Sequence, residues 1–214
     1  MRFPKLSELD KDQTQIYQGA PMEGSILVLG PPGTGKTVIA FHRADTLSRK
    51  NQKPRVIMFN NVLSRYTSGR DDVAVDVEVS TMHSWAFKWW GKMTGSWKAG
   101  VPNKGKKFDY DWLAVQQKCI KELVDTPEFA NKVNWGHIIV DEGQDFSAQM
   151  YSALNIIMTM ANAKGVTPPM AISVYADENQ RLNSEQNSTI KEIRTSLGLS
   201  KSDNNVFYLK KNYR

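Results

Sequence analysis

Apolar residues recur along this chain with two spacings, one near two or unbroken and one near 3.6, and the two alternate. Ser25–Leu29, Arg55–Phe59, His137–Val140, Met170–Tyr175 and Val206–Leu209 are short apolar runs bounded by Gly, Pro, Asn or charged residues, the signature of buried strands. Val73, Val75, Val77 and Val79 alternate with polar or small residues, which predicts a strand near a sheet edge with one buried face. Between these runs lie helical patterns. Residues 8–19 form a short helix capped by Asp10 and stopped by Gly19, and a helix after Thr37 places Val38, Phe41 and Leu47 near one face. An aromatic-rich helix runs over 80–90, and residues 109–124 carry an apolar stripe of Trp112, Val115, Cys119 and Leu123. A short helix or turn over 126–133 and helices over 147–163 and 189–197 follow. Strands that alternate with helices predict an α/β fold with a mostly parallel sheet flanked by helices.

Composition narrows the class. The chain has 214 residues, of which 40% are hydrophobic and 23% charged, the balance of a globular domain. No apolar segment approaches the ~20 residues of a membrane span, and the first residues lack a signal-peptide core. The single cysteine, Cys119, makes no internal disulfide, so a cytoplasmic setting is expected, with Cys119 a core residue. The formal charge is +6, and Lys88, Lys92, Lys98, Lys104, Lys106 and Lys107 lie in one stretch without an acidic residue, so that stretch accounts for the whole excess. Residues 91–107 read as irregular.

Two stretches carry chemistry. Gly30, Pro31, Pro32, Gly33, Thr34, Gly35, Lys36 and Thr37 follow an apolar strand and open a helix. In that context glycines let backbone N–H groups converge on phosphate oxygens at a helix N-terminus, Lys36 offers a cation to the β- and γ-phosphates of a nucleoside triphosphate, and Thr37 offers a hydroxyl to Mg2+. The strand 137–140 ends in Asp141 and Glu142, the usual complement of such a loop. Asp141 is suited to hold the magnesium ion and Glu142 to orient and deprotonate water. The two stretches are expected to meet across the tips of neighbouring parallel strands. Gln13 has an amide able to read the edge of adenine, and Gln180, past the end of the strand 170–175, is placed to sense a γ-phosphate. Aromatic residues beside lysines over 80–107 admit two readings, a stacking and phosphate-tracking site for single-stranded nucleic acid or a tryptophan cluster with solvated lysines.

These segments, in this order, resemble the superfamily 1 DNA helicases of the UvrD/Rep type. Leu9–Gln13 is similar to their Q motif, Gly30–Thr37 to motif I, Phe59–Asn61 to motif Ia, Thr81–Ser84 to the Thr-Phe-His-Gly segment, Val140–Asp145 to motif II, Ala176–Gln180 in part to motif III, and Asn212–Arg214 to the start of motif IV. The resemblance implies a RecA-like P-loop ATPase domain over 1–90 and 134–214 with a small basic insertion at 91–133. It implies that Gln13 and Tyr213 contact adenine and that Lys36, Thr37 and Asp141 hold phosphates and magnesium. Glu142 is then the general base, and Gln144, Gln180 and Arg214 couple phosphate loss to movement. Single-stranded nucleic acid, DNA above all, is expected at Phe59, His83, Trp85 and the Lys88–Lys107 stretch. Where the family carries stacking aromatics after motif III this chain has Arg181, Leu182 and Asn183, which argues for an alternative, a nucleotide-gated binding module that acts as a switch rather than a motor. A P-loop kinase or another NTPase that does not act on nucleic acid is a third class, disfavoured by the Asp-Glu-Gly-Gln-Asp run. No segment like motifs V and VI is present, so ATP hydrolysis is expected to be weak without a second RecA-like domain, in cis or from a partner chain.

Overall fold

The computed structural model describes residues 4–58, 77–98, 100–106, 108–126, 128–177, 187–200 and 204–212. Phe59, Gln180, Tyr213 and Arg214 lie outside the described residues, as do Lys107 and most of the Val73–Val79 alternation.

Six strands form one sheet: β1 (Gly24–Leu29), β2 (Pro54–Met58), β3 (Glu78–Thr81), β4 (His137–Val140), β5 (Ala171–Ala176) and β6 (Val206–Tyr208). Their order is β3-β2-β4-β5-β1-β6 and every pairing is parallel. A parallel sheet is covered on both faces, which is why β1, β4 and β5 read as nearly continuous apolar runs. Seven described helices do the covering: α1 (Lys11–Gly19), α2 (Lys36–Arg49), α3 (Met82–Thr94), α4 (Trp112–Asp125), α5 (Phe129–Val133), α6 (Ala148–Ala163) and α7 (Ile190–Ser196).

Side chains alternate across the sheet, so each strand feeds two cores. Ile26, Val28, Val56, Met58, Ile139 and Tyr175 pack against α2 and α1, through Ile39, Ala40, Phe41, Ala44, Leu47 and Ile16. Leu27, Leu29, Ile57, Ile138, Val140, Ile172 and Val174 face α3 to α7. The predicted stripe on α4 is the buried face of that helix, and Cys119 is buried with it, its thiol pushed up to about 12 by burial. Within residues 91–133, Trp112, Val115, Leu123, Phe129 and Val133 belong to the same core as β4 and β5. Phe41 and Leu47 are buried as predicted, while Val38 is only partly buried, because the buried arc of α2 centres on Ile39, Ala40, Ala44 and Leu47, on the other side of the helix. Among the described residues no helix is long and apolar enough to cross a membrane.

Candidate active site

The carboxyl ends of β1, β4 and β5 converge on one edge of the sheet, and their loops build the site. After Leu29 the chain turns through Gly30–Gly35 into α2. Gly33 and Gly35 have φ of 82° and 84°, the left-handed region that glycine enters without strain. At Gly35 a Cβ would also fall 2.4 Å from Gln13 Nε2. Lys36 is only 5% exposed, and its ammonium is held inside the loop by the carbonyls of Gly30 and Pro31 at 2.7 and 3.1 Å. Thr34 is fully buried and donates to Pro31 at 2.9 Å, closing the loop on itself.

Gln13 is tied to this loop. Asp10 caps α1 by accepting from the Gln13 N–H at 2.7 Å, and Gln13 Oε1 accepts from the Asp10 N–H at 3.1 Å, a reciprocal capping box. The same amide donates from Nε2 to the Thr34 carbonyl at 3.1 Å. An amide has two N–H donors and two lone pairs, so one of each is left over, the pair that an adenine edge requires.

The acids stand one strand away rather than on a neighbouring strand: β5 lies between β1 and β4. The expectation of adjacent strand tips is corrected, but the groups still meet. The helix start carries Thr37 across the gap, and its hydroxyl donates to Asp141 Oδ2 at 2.8 Å. Asp141 Oδ1 is buried with no hydrogen-bond partner among the described residues, an orphaned anionic oxygen beside a hydroxyl and close to Lys36. Burial, with Glu142 as the second cause, pushes the Asp141 carboxyl up to about 6, while Thr37 and Lys36 act in the opposite direction. A hard cation answers each of these features, so the residues present fit magnesium, which Thr37 and Asp141 would hold.

Glu142 sits in the left-handed region at φ 51°, uncommon for a residue with a long side chain. A short 3-10 turn, Gly143–Asp145, holds it there through the Asp145 N–H to the Glu142 carbonyl at 2.9 Å. Gly143 is needed for close approach: a Cβ would lie 2.4 Å from Val174 Cγ1, and the Tyr151 hydroxyl donates to the Gly143 carbonyl at 2.6 Å. Buried Gln144 donates to Glu142 Oε2 at 3.0 Å and accepts from the Asp177 N–H, just past β5, at 2.9 Å. One side chain thus links the acid to the end of the neighbouring strand.

The aromatic residues fall out differently from the sequence reading. Trp85 is 1% exposed, stacked on Trp89 with centroids 5.3 Å apart and edge-on to Trp135, so it is a core residue and is removed from the nucleic-acid contacts. His83 is half-buried beside a cleft of about 640 Å³ lined also by Met58, Lys104, Phe108, Tyr110 and Asp145. Exposed rings stand at Phe87 and Trp97, within the aromatic and basic stretch over 80–107, and at Phe108 just beyond it. Helical phase was the available signal, since Phe87 lies two residues from both Trp85 and Trp89 and therefore points to the opposite side.

A glycine loop at the end of β1 and a magnesium-suited acid at the end of β4, one strand apart in a parallel sheet, define a P-loop NTPase with a RecA-like fold. Residues 13–184 match the family model described as an AAA domain, AAA_19. The chain belongs to this family, which is the N-terminal region of superfamily 1 helicases of the UvrD/Pif1 type. Among solved structures, the Pif1 helicase from Candida albicans superposes with a TM-score of 0.56 at 16% identity, over 96% of this chain and 40% of that one. The DUF1998 helicase MrfA bound to DNA gives 0.50 at 11% identity, over 95% and 26%. The Bacteroides Pif1 bound to single-stranded DNA gives 0.47 at 14%, over 96% and 42%. The chain therefore spans about two fifths of the length of the Pif1 structures it resembles. No curated protein matches it in sequence.

Proposed function

We propose that this chain is the ATP-hydrolysing N-terminal lobe of a superfamily 1 helicase or translocase that acts on single-stranded nucleic acid and works together with a second RecA-like lobe. The observation that carries the reading is the 2.8 Å contact from the Thr37 hydroxyl to buried Asp141 at the foot of the glycine loop. It joins the phosphate-binding and acidic stretches into one site. Family membership and the MrfA likeness support the nucleic-acid half.

In this site the N–H groups of Gly33–Thr37 and the α2 N-terminus bind the triphosphate, and the Lys36 ammonium, already inside the loop, offsets its charge. Magnesium held by Thr37 and Asp141 supplies Lewis-acid neutralisation of the phosphate oxygens when bound. Glu142 orients the attacking water and takes its proton on the carboxylate that Gln144 steadies. Gln13 and Tyr213 take the adenine, and Gln180 and Arg214 act with Gln144 in coupling phosphate loss to movement. An arginine from a second lobe contributes about 10³ to 10⁵ in turnover in related phosphoryl transfer, so the lobe alone is expected to be slow.

The test is ATP turnover by the full-length protein with and without single-stranded DNA. Stimulation, abolished along with nucleotide binding in Lys36→Ala, is expected. Nucleotide binding unchanged by Lys36→Ala would remove the site. Hydrolysis indifferent to DNA would remove the nucleic-acid half and leave a stand-alone NTPase.

A further inference from the structure

Helix α3 has two unlike faces. Trp85, Trp89 and Met93 recur every four residues and are buried. His83, Phe87 and Gly91 recur every four residues on the opposite side, and an aromatic ring stands at each step. Phe108 stacks on His83, centroids 4.5 Å apart and planes 28° apart. Phe87 is its own ring. Trp97 lies over Gly91, so closely that a Cβ there would come within 2.4 Å of Trp97 Cε3, and it leans on Phe87 at 5.8 Å and 47°. Phe108, Phe87 and Trp97 are 54%, 44% and 57% exposed. Of the four large aromatic side chains exposed among the described residues, these are three, so their gathering on one helix face is a feature of this surface and not a scatter of surface rings.

Backbone conformation maintains the arrangement. Phe108 adopts φ 69°, a left-handed conformation that a bulky residue seldom takes. Gly91 admits the flat approach of Trp97. Around the rings, Lys88, Lys92, Lys98, Lys104 and Lys106 are exposed; Lys88 shares Glu78 with Arg55, and Lys104 bonds Gln149. Asp109, Asp145 and Glu192 lie on the cleft side, so the positive charge is concentrated along α3 and the turn after it.

We infer that the His83–Phe87–Gly91 face of α3, with Phe108 and Trp97 laid against it, is a base-stacking ladder for a single-stranded nucleic acid. The inference rests on the nucleic-acid half of the proposed function and adds the place and the chemistry of contact. Exposed rings match unpaired bases and the flanking lysines match phosphates. A duplex hides its base faces and leaves the rings without partners. The ladder also continues the cleft at His83 outward along the helix, so one strand can occupy both.

The experiment is binding of a fluorescein-labelled oligothymidylate to the full chain, titrated over a range of salt. Phe87→Ala and Trp97→Ala are each expected to weaken binding by about 5- to 150-fold, the range that corresponds to removal of one stacked ring. The slope of log affinity against log salt should be unchanged, whereas Lys92→Ala with Lys98→Ala should make it shallower by about 0.7 for each phosphate no longer neutralised. Phe87→Trp should retain binding. Unchanged affinity in the Phe87→Ala, Trp97→Ala double variant overturns the ladder, as does an equal loss for a duplex of the same sequence. Because Phe87 is at the surface, Phe87→Ala alone decides the matter should Trp97→Ala unfold the chain. Failure of the unmodified chain to bind any single strand overturns the nucleic-acid half of the proposed function and the ladder with it, an outcome distinct from the others.

Discussion

Gln144 holds two groups at once, the Glu142 carboxylate and the Asp177 backbone, and so stands between the acid and the end of β5. Gln144→Ala is expected to lower turnover by about 10- to 100-fold, the size of a missing hydrogen bond to a charged group, with nucleotide affinity retained. Equal loss of affinity, measured by titration calorimetry, would make its role structural. Glu142→Gln is expected to lower turnover by about 10² to 10⁴ and likewise to retain nucleotide. Asp141 behaves differently, because its burial penalises the charged form that magnesium needs. With its carboxyl raised from 3.8 to about 6, its ionisation costs on the order of 3 kcal/mol of stability near neutral pH. Asp141→Asn should therefore raise the melting temperature of the nucleotide-free protein by several degrees while abolishing magnesium-dependent stabilisation. A lower melting temperature would sink this account.

At the scale of elements, what was legible in the sequence tracked how one-sided each element is. Helix α4 packs on one side only, so its stripe of Trp112, Val115, Cys119 and Leu123 is the stripe that is buried. Leu123→Ala should cost about 2–5 kcal/mol in a denaturant titration, whereas Val124→Ala, at an exposed neighbouring position, should fall within about 0.5. Helix α2 is apolar at Val38, Ile39, Ala40 and Phe41 in succession, so periodicity did not fix the centre of its buried arc and misplaced Val38. In α3 five of the first nine residues are aromatic or histidine, and composition alone did not say which rings look outward; the partner elements settled it by burying Trp85 and leaving Phe87. The glycine loop and the acids were legible because their chemistry demands residue types in fixed local order.

Across the whole molecule, two buried titrating groups give opposite pH dependences. His137 donates to or accepts from Ser173 Oγ at 2.7 Å in the polar layer that also holds Arg43, and burial brings it down from 6.5 to about 3. Between these values the unfolded chain takes up a proton that the fold refuses, so stability is lost as pH falls, at up to about 1.4 kcal/mol per pH unit. Asp141 keeps a proton in the fold that the unfolded chain has released between 3.8 and about 6, so its contribution declines as pH rises. Where the ranges overlap they offset each other. Denaturant midpoints measured across that range should fall more steeply toward acid in Asp141→Asn than in the unmodified chain, and a parallel profile would refute the opposition.

The sequence by itself determined the strand–loop–helix at Gly30–Thr37, the acids after β4, the alternation that makes the sheet parallel, and the basic stretch, because each is written in contiguous residues with a fixed period or order. Only the tertiary structure decided that β5 runs between the two halves of the site, that Gln13 and Thr37 close across the gap, and which rings of α3 reach the surface. Those outcomes depend on segments far apart in the chain coming together, as Thr37 does with Asp141, and local patterning carries no record of which distant segment will arrive to cover a given face.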